Sequence, residues 1–217
     1  MAQIAEDLFL LLLDNASAQP NLERHRRERV LAAAVLLDLA YACRIRPAMV
    51  GEPVEPGRLI ALAATPAAPD PVADPAFQLL RRRPLRPATA VKRLSRHAES
   101  GVCGYLEQTA QLRRITVGHR ESAWLPTSRE RVGHARSALL AALFDRNPPA
   151  PATAAIVSLL HAVDGLGALL SLNDRGWRWV HARAAEIASG SWVDEYPTAL
   201  PEVNLAVTTS AVRQALG

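Results

Sequence analysis

Residues 30–43 read VLAAAVLLDLAYAC, a run in which Val, Leu and Ala fill every face of a helix and Asp38 is the one charge. A helix that is apolar all round belongs inside a helical body, because none of its faces prefers water. The residues before it are the opposite. Residues 21–29 read NLERHRRER, so the same helix is predicted to start near Asn21 and to project a charged first half beyond the core.

Upstream, Ile4, Leu8, Leu11 and Leu12 recur at i, i+4, i+7 and i+8, which places an apolar stripe on a first helix. Asp14-Asn15 and Gln19-Pro20 are its expected end. Downstream, residues 48–80 read as a connector, rich in Pro and Ala over 51–75, with a short candidate strand at 58–63. Val91, Leu94 and Ala98 line one face of a basic helix whose Lys92, Arg93 and Arg96 point elsewhere, and Gly101 suits its C-terminal stop. Strand-like content on either side of Thr109-Ala110-Gln111 predicts a β-hairpin over about 102–121. Thr127 and Glu130 have capping-box spacing for a helix reaching Phe144. After Asn147-Pro148-Pro149, a second strongly apolar helix carries Ile156, Leu159, Leu160, Val163, Leu166 and Leu170, and it is expected to lie against 30–43. A helix with Trp177, Val180, Ala184 and Ile187 inward and a short one over 205–216 complete the chain. The expectation is a mainly α fold: a single helical domain over 1–217 around central apolar helices, with one protruding β-hairpin.

Hydrophobic residues make up 49% of the 217, enough for a sizeable core, and aromatics only 5%, so that core is aliphatic. The formal charge is +4, and Lys92 is the only lysine among 25 basic residues. Arginine grips phosphate through a bidentate fork where lysine is a point charge. A GC-rich genome accounts for the overall bias but not for the clustering of the arginines. Cys43 and Cys103 have no metal-ligand spacing and suit a reducing cytoplasm. Leu8–Leu13 is too short, and Glu6 and Asp7 have the wrong charge, for a signal peptide. No run reaches the roughly 20 apolar residues of a spanning helix. A soluble chain is expected.

Catalytic chemistry finds no support. His161 and Asp164 stand at i, i+3 on an apolar helix with no nucleophile or second carboxylate nearby, so His161 is expected to be a hydrogen-bonded core histidine. His25, His97, His119, His134 and His181 have no metal spacing, and Gly165 and Gly167 form no phosphate loop. The expectation is no enzyme, no cofactor and no metal. The arginines remain. Arg24, Arg26, Arg27 and Arg29 oppose the macrodipole at a helix start, and Arg81, Arg82, Arg83 and Arg86 sit on a Pro-interrupted segment. Arg113, Arg114 and Arg120 belong to the hairpin. Each set reads as a phosphate-facing surface or as a solvated one.

Four short motifs then stand in a telling order: EDLFLLLLD at 6–14, VLLDLA at 35–40, ESGV at 99–102 and SLLHAVD at 158–164. Over roughly residues 4–216 the chain resembles the Golgi phosphoprotein 3 family, the family of the vacuolar protein sorting 74 adaptor, and the arginine bias fits a bacterial-type relative. The resemblance implies a helical domain with a protruding hairpin that binds phosphatidylinositol 4-phosphate. In eukaryotic members it also implies capture of glycosyltransferase tails as protein cargo at the cytoplasmic face of the Golgi, and self-association through the hairpin. The family's pocket uses a tryptophan before the second helix, an arginine within it, and two arginines three apart leading into the basic helix. Those positions fall near Glu23, Ala32, Pro87 and Ala90 here. Arg26, Arg29, Arg86 and Arg93 are the neighbouring arginines assigned to an anionic lipid headgroup, and Leu112, Arg113 and Arg114 to the membrane or to a second copy in a homo-oligomer. The leading expectation is a cytoplasmic, peripherally membrane-associated adaptor that binds phosphoinositide or other acidic phospholipid. The alternative is a winged-helix-like nucleic-acid-binding protein using the helix 90–100 and the hairpin 102–121.

Overall fold

A computed structural model describes residues 3–13, 18–62, 69–117, 121–193 and 199–217. Among these residues the fold is mainly α, as the sequence predicts. Its helices are α1 (Gln3–Leu12), α2 (Arg24–Tyr41), α3 (Asp74–Arg82), α4 (Pro87–Gln108), α5 (Arg129–Phe144), α6 (Pro151–Ala162), α7 (Asp174–Ala188) and α8 (Leu200–Gln214). Two antiparallel strand pairs join them: β1 (Ile45–Pro47) with β2 (Leu59–Ala61), and β3 (Leu112–Val117) with β4 (Glu121–Pro126).

Every residue of α2 from Val30 to Ala40 is buried, under α1, α4, α6 and α8. The predicted centre of the molecule is therefore its centre, and α6 lies against it as expected. Asp38 is buried there for a specific reason. Its Oδ1 accepts the N–H of Ile4 at 2.8 Å and its Oδ2 that of Ala5 at 3.0 Å, so a side chain of α2 satisfies donors at the start of α1. At the far end of α2, the Asn204 side-chain amide donates to the carbonyls of Ala40 (2.6 Å) and Ile45 (2.8 Å).

α1 buries more than the single stripe its spacing predicts. Besides Ile4, Leu8, Leu11 and Leu12, the helix buries Ala5, Glu6, Phe9 and Leu10, and Leu13 follows them into the core. Buried Glu6 meets Arg131 of α5 at 2.9 Å, and Asp7 accepts from the same guanidinium at 2.8 Å. Arg131 thus ties α1 to α5.

Four boundaries differ from expectation. First, α4 does not stop at Gly101 but runs to Gln108, so residues 102–108 are helix and not a strand. Val102, Cys103 and Leu106 recur at helical spacing and are buried, which outweighs their strand-like content. The stop is Ala110, at φ +55°, with Gln111 N–H bonding back to the Leu106 carbonyl at 2.8 Å. The hairpin strands are therefore 112–117 and 121–126, in place of a hairpin over about 102–121. Second, α6 ends at Ala162: Asp164 is left-handed at φ +51° and Gly165 N–H closes the helix on the Leu160 carbonyl at 2.7 Å. Leu166 is still buried, from a short 3-10 turn over Leu166–Ala168. Third, the cap of α5 is Ser128, which accepts the Arg131 N–H at 3.2 Å, while the Thr127 hydroxyl donates to the Ala110 carbonyl. Fourth, the connector holds β2 within the candidate strand, as expected, but from Asp74 it also forms the amphipathic helix α3, whose Ala76, Phe77 and Leu80 are buried. Asp14-Asn15, the last residue of the candidate strand (Ala63), His119 and Arg120 lie outside the described residues.

Candidate anion-binding face

Helix α4 presents one long face to solvent. Along it Thr89, Arg93, Arg96, Ser100, Gly104 and Glu107 follow at three- and four-residue steps, a length of about 27 Å at 1.5 Å per residue. Two hollows lie on this face. One, of about 610 Å³, is lined by Ala88, Thr89, Lys92, Arg93, Arg96 and His97. The other, of about 670 Å³, sits beneath α4's second half, where Arg24, Arg27 and Glu28 of α2 and Arg114 and Trp124 of the hairpin close it. Arg96 lines both, so the two hollows adjoin, and together they are called the trough.

The strands aim the hairpin residues. Arg114 and Trp124 are directly opposite each other in the β3–β4 register, and both reach the cavity. Trp124 is held in place from behind. Its ring meets Phe9 edge-on at 6.3 Å, and its backbone N–H donates to the Ala18 carbonyl at 2.9 Å. Ser100 and Gly104 keep the α4 wall low, and a Cβ added at Gly104 would meet nothing within 4 Å.

Charge in the trough is uneven. Arg24 pairs with Glu28 at 2.8 Å and Arg27 with Glu99 at 2.9 Å, so these two are already neutralised. Lys92, Arg93, Arg96 and Arg114 have no carboxylate partner among the described residues, and Glu107 is the remaining acid of the lining. The trough is net positive, and in the larger hollow its unpaired cations, Arg96 and Arg114, come from two elements, α4 and β3. Cys103 forms part of the floor, and burial, reinforced by Glu99 and Glu107, pushes its thiol up to about 12. It stays protonated at neutral pH.

The residues assigned from the sequence do not converge as a set. Arg93 lies in the trough, one turn from Arg96, and Arg114 lies in the cavity. Arg113 is exposed beside it. Leu112 is buried at the base of the hairpin, so it belongs to the core and not to a contact surface. Arg29 is turned inward: its Nη2 donates to the carbonyls of Ala215 (3.0 Å) and Leu216 (2.9 Å) at the end of α8. Arg26 stands 3.7 Å from Glu23 outside the cavity lining, and Arg86 pairs with Glu55. Arg24 and Arg27, read with Arg26 and Arg29 as one candidate cluster, are the two of that cluster that line the cavity, while Arg96 and Trp124 were not assigned to a site. Reading 87–108 as one helix would have found Arg96, which then shares a face with Ser100 and Cys103. No sequence signal pointed to Trp124.

A family model for Golgi phosphoprotein 3 matches residues 4–200. The chain belongs to the Golgi phosphoprotein 3 family. No curated protein matches it. In this chain an indole does line the cationic cavity, but it comes from β4 and not from the segment before α2. Among the described residues no helix is long and apolar enough to cross a membrane, and no three His, Cys, Asp or Glu side chains gather as metal ligands.

His161 departs from its expected role. Its ring lies 5.8 Å from that of His181, which in turn lies 5.5 Å from Trp177. Its Nδ1 is buried with no hydrogen-bond partner among the described residues. Burial first, then His181 and Arg213, hold its pKa below the usual histidine range.

Proposed function

We propose that this protein is a non-catalytic, peripheral membrane adaptor that binds acidic phospholipid headgroups, phosphatidylinositol 4-phosphate among them, in the α2–α4–hairpin trough. One observation carries the reading: Arg96 and Arg114 reach the same cavity from two elements without carboxylate partners, beside Trp124. Guanidinium groups from two elements grip one phosphate together, whereas a diffuse basic face only attracts it. Each basic residue near an anionic surface adds about 1 kcal/mol. Membership of the Golgi phosphoprotein 3 family supports the reading. Protein cargo, self-association through the exposed hairpin and a cytoplasmic location go with it. A nucleic-acid role is less well served, because Glu107 on the exposed face of α4 would meet the phosphates of a duplex groove.

Sedimentation with vesicles of neutral lipid, of neutral lipid with phosphatidylserine, and of neutral lipid with phosphatidylinositol 4-phosphate tests this, with duplex DNA in parallel. Binding should require anionic lipid and weaken as salt rises, since exposed charges are screened over about 8 Å at physiological ionic strength. Arg96→Ala and Arg114→Ala should each weaken it by about fivefold, and Arg175→Ala, which removes the same charge elsewhere, far less. Equal losses for all three, or undiminished binding to neutral vesicles at high salt, would overturn the proposal.

A further inference from the structure

A second arginine cluster lies away from the trough and shares no residue with it. Phe144 ends α5, and Trp179 lies in the second turn of α7. Their rings stack at 5.7 Å and 21°. Both are 37% exposed, although the chain has only 3 Phe, 4 Trp and 3 Tyr from which to build its core. The Arg146 guanidinium lies over the Trp179 ring at 5.9 Å. Arg175 and Arg178 line the same open hollow, of about 690 Å³, with the two aromatics. All three arginines are exposed. Asp145 and Asp174 adjoin them in sequence, yet no described carboxylate comes within ion-pairing distance of any of the three. Arg175 also sits in the first turn of α7, where a cation opposes the helix macrodipole. The cluster is locally unfavourable on two counts, exposed aromatic area and unneutralised charge, and both are relieved by the same kind of occupant.

We propose that this hollow docks a short acidic segment of a partner protein that carries an aromatic residue. The partner's ring fills the hollow against Phe144 and Trp179, and its carboxylates pair with Arg146, Arg175 and Arg178 in forked geometry. Shape selects this occupant over others. A bilayer is reached by apolar side chains that protrude, whereas these two rings stack on each other. The α5 helix, 16 residues from the hairpin end to Phe144, sets this site about 24 Å from the start of that helix. Headgroup and partner can therefore bind together.

The test uses the full-length chain and fluorescence anisotropy of a labelled octapeptide with four carboxylates around two Phe residues. Two control peptides replace either the acids with amides or the Phe residues with Ala. The acidic aromatic peptide should bind at least tenfold more tightly than either control. Arg178→Glu and Trp179→Ala should each weaken it at least tenfold, with sedimentation on phosphatidylserine vesicles unchanged. Arg178→Glu alters an exposed charge and keeps the test valid if Trp179→Ala fails to fold. No peptide binding by the parent, equal affinity for the three peptides, or unchanged affinity in Arg178→Glu would overturn the proposal. So would a loss of vesicle binding in that variant, which would make the patch a membrane contact.

Discussion

Asp38 sits among apolar neighbours because two backbone donors of α1 need it, and burial holds its carboxyl well above the usual carboxylate range despite those bonds. Glu6 is raised as well, first by burial, with Arg131 opposing. Both acids are therefore easier to protonate in the fold than in the unfolded chain. Their contribution is fully present below the unfolded carboxylate values and is lost as pH rises through the folded ones. Glu52 works the other way. Bonds from Arg46 and the Met49 N–H lower it to about 2, so its contribution is present above its unfolded value and lost as pH falls towards 2. Urea unfolding across pH 3 to 8 should show stability falling from the mildly acidic range towards neutrality. In Asp38→Asn, which keeps one acceptor and removes the charge, that decline should flatten. Asp38→Ala leaves two buried N–H groups unpaired and should cost about 1–3 kcal/mol for each at acidic pH, and less towards neutrality, where the parent itself carries the buried charge. An unchanged slope in Asp38→Asn would place the titrating group elsewhere. The sequence made Asp38 visible as a lone charge in an apolar run, but its partners lie 33 and 34 residues away, beyond any local pattern.

Helix α4 and the hairpin show where local reading failed and why. Gly101 followed by Val102 suggests a helix stop and a strand, and only the burial of Val102, Cys103 and Leu106 against α2 keeps the helix going. Tertiary contact overrode propensity there. The turn residue that does end the helix, Ala110, has no glycine signature, yet it holds φ +55°. That region costs an L-residue with a Cβ about 1 kcal/mol. Ala110→Gly should thus raise stability by about 0.5–1 kcal/mol, less the entropy glycine adds to the unfolded chain. A chemical-denaturation midpoint that falls would show that the αL stop is not where α4 ends. The arginine assignments failed for a related reason. Residues 30–40 are buried on every side, so the hydrophobic pattern of α2 carries no phase to project onto 24–29. Arg24 and Arg27 could not be told from Arg26 and Arg29 by periodicity.

Across the whole molecule the legible part was the aliphatic body, since the apolar residues read in α1, in α2 as far as Ala40, in α6 as far as Leu160 and in α7 at Val180, Ala184 and Ile187 are buried. What sequence could not divide was the arginine supply. Arg29 caps the end of α8. Arg183 donates to the carbonyls of Ala142 (3.0 Å) and Asn147 (3.3 Å) around the end of α5. Arg136 donates to Leu169 at 3.3 Å. Carbonyl ends of helices attract cations, so part of the basic excess holds the fold together and only the remainder is free for a ligand. The cavity at Trp124 draws on both uses, for its indole rests edge-on against Phe9 of the core while its other side bounds the trough. An occupant bridging Arg96 and Arg114 would therefore clamp α4 to the hairpin, which otherwise separate on unfolding, and thermal unfolding becomes a binding assay. At a soluble inositol phosphate concentration a hundredfold above its Kd, linkage adds about 2.7 kcal/mol, a rise in Tm of roughly 5–10 °C for a chain of this size. The Arg96→Ala, Arg114→Ala double variant should show no such rise, and an equal rise would move the ligand out of this cavity.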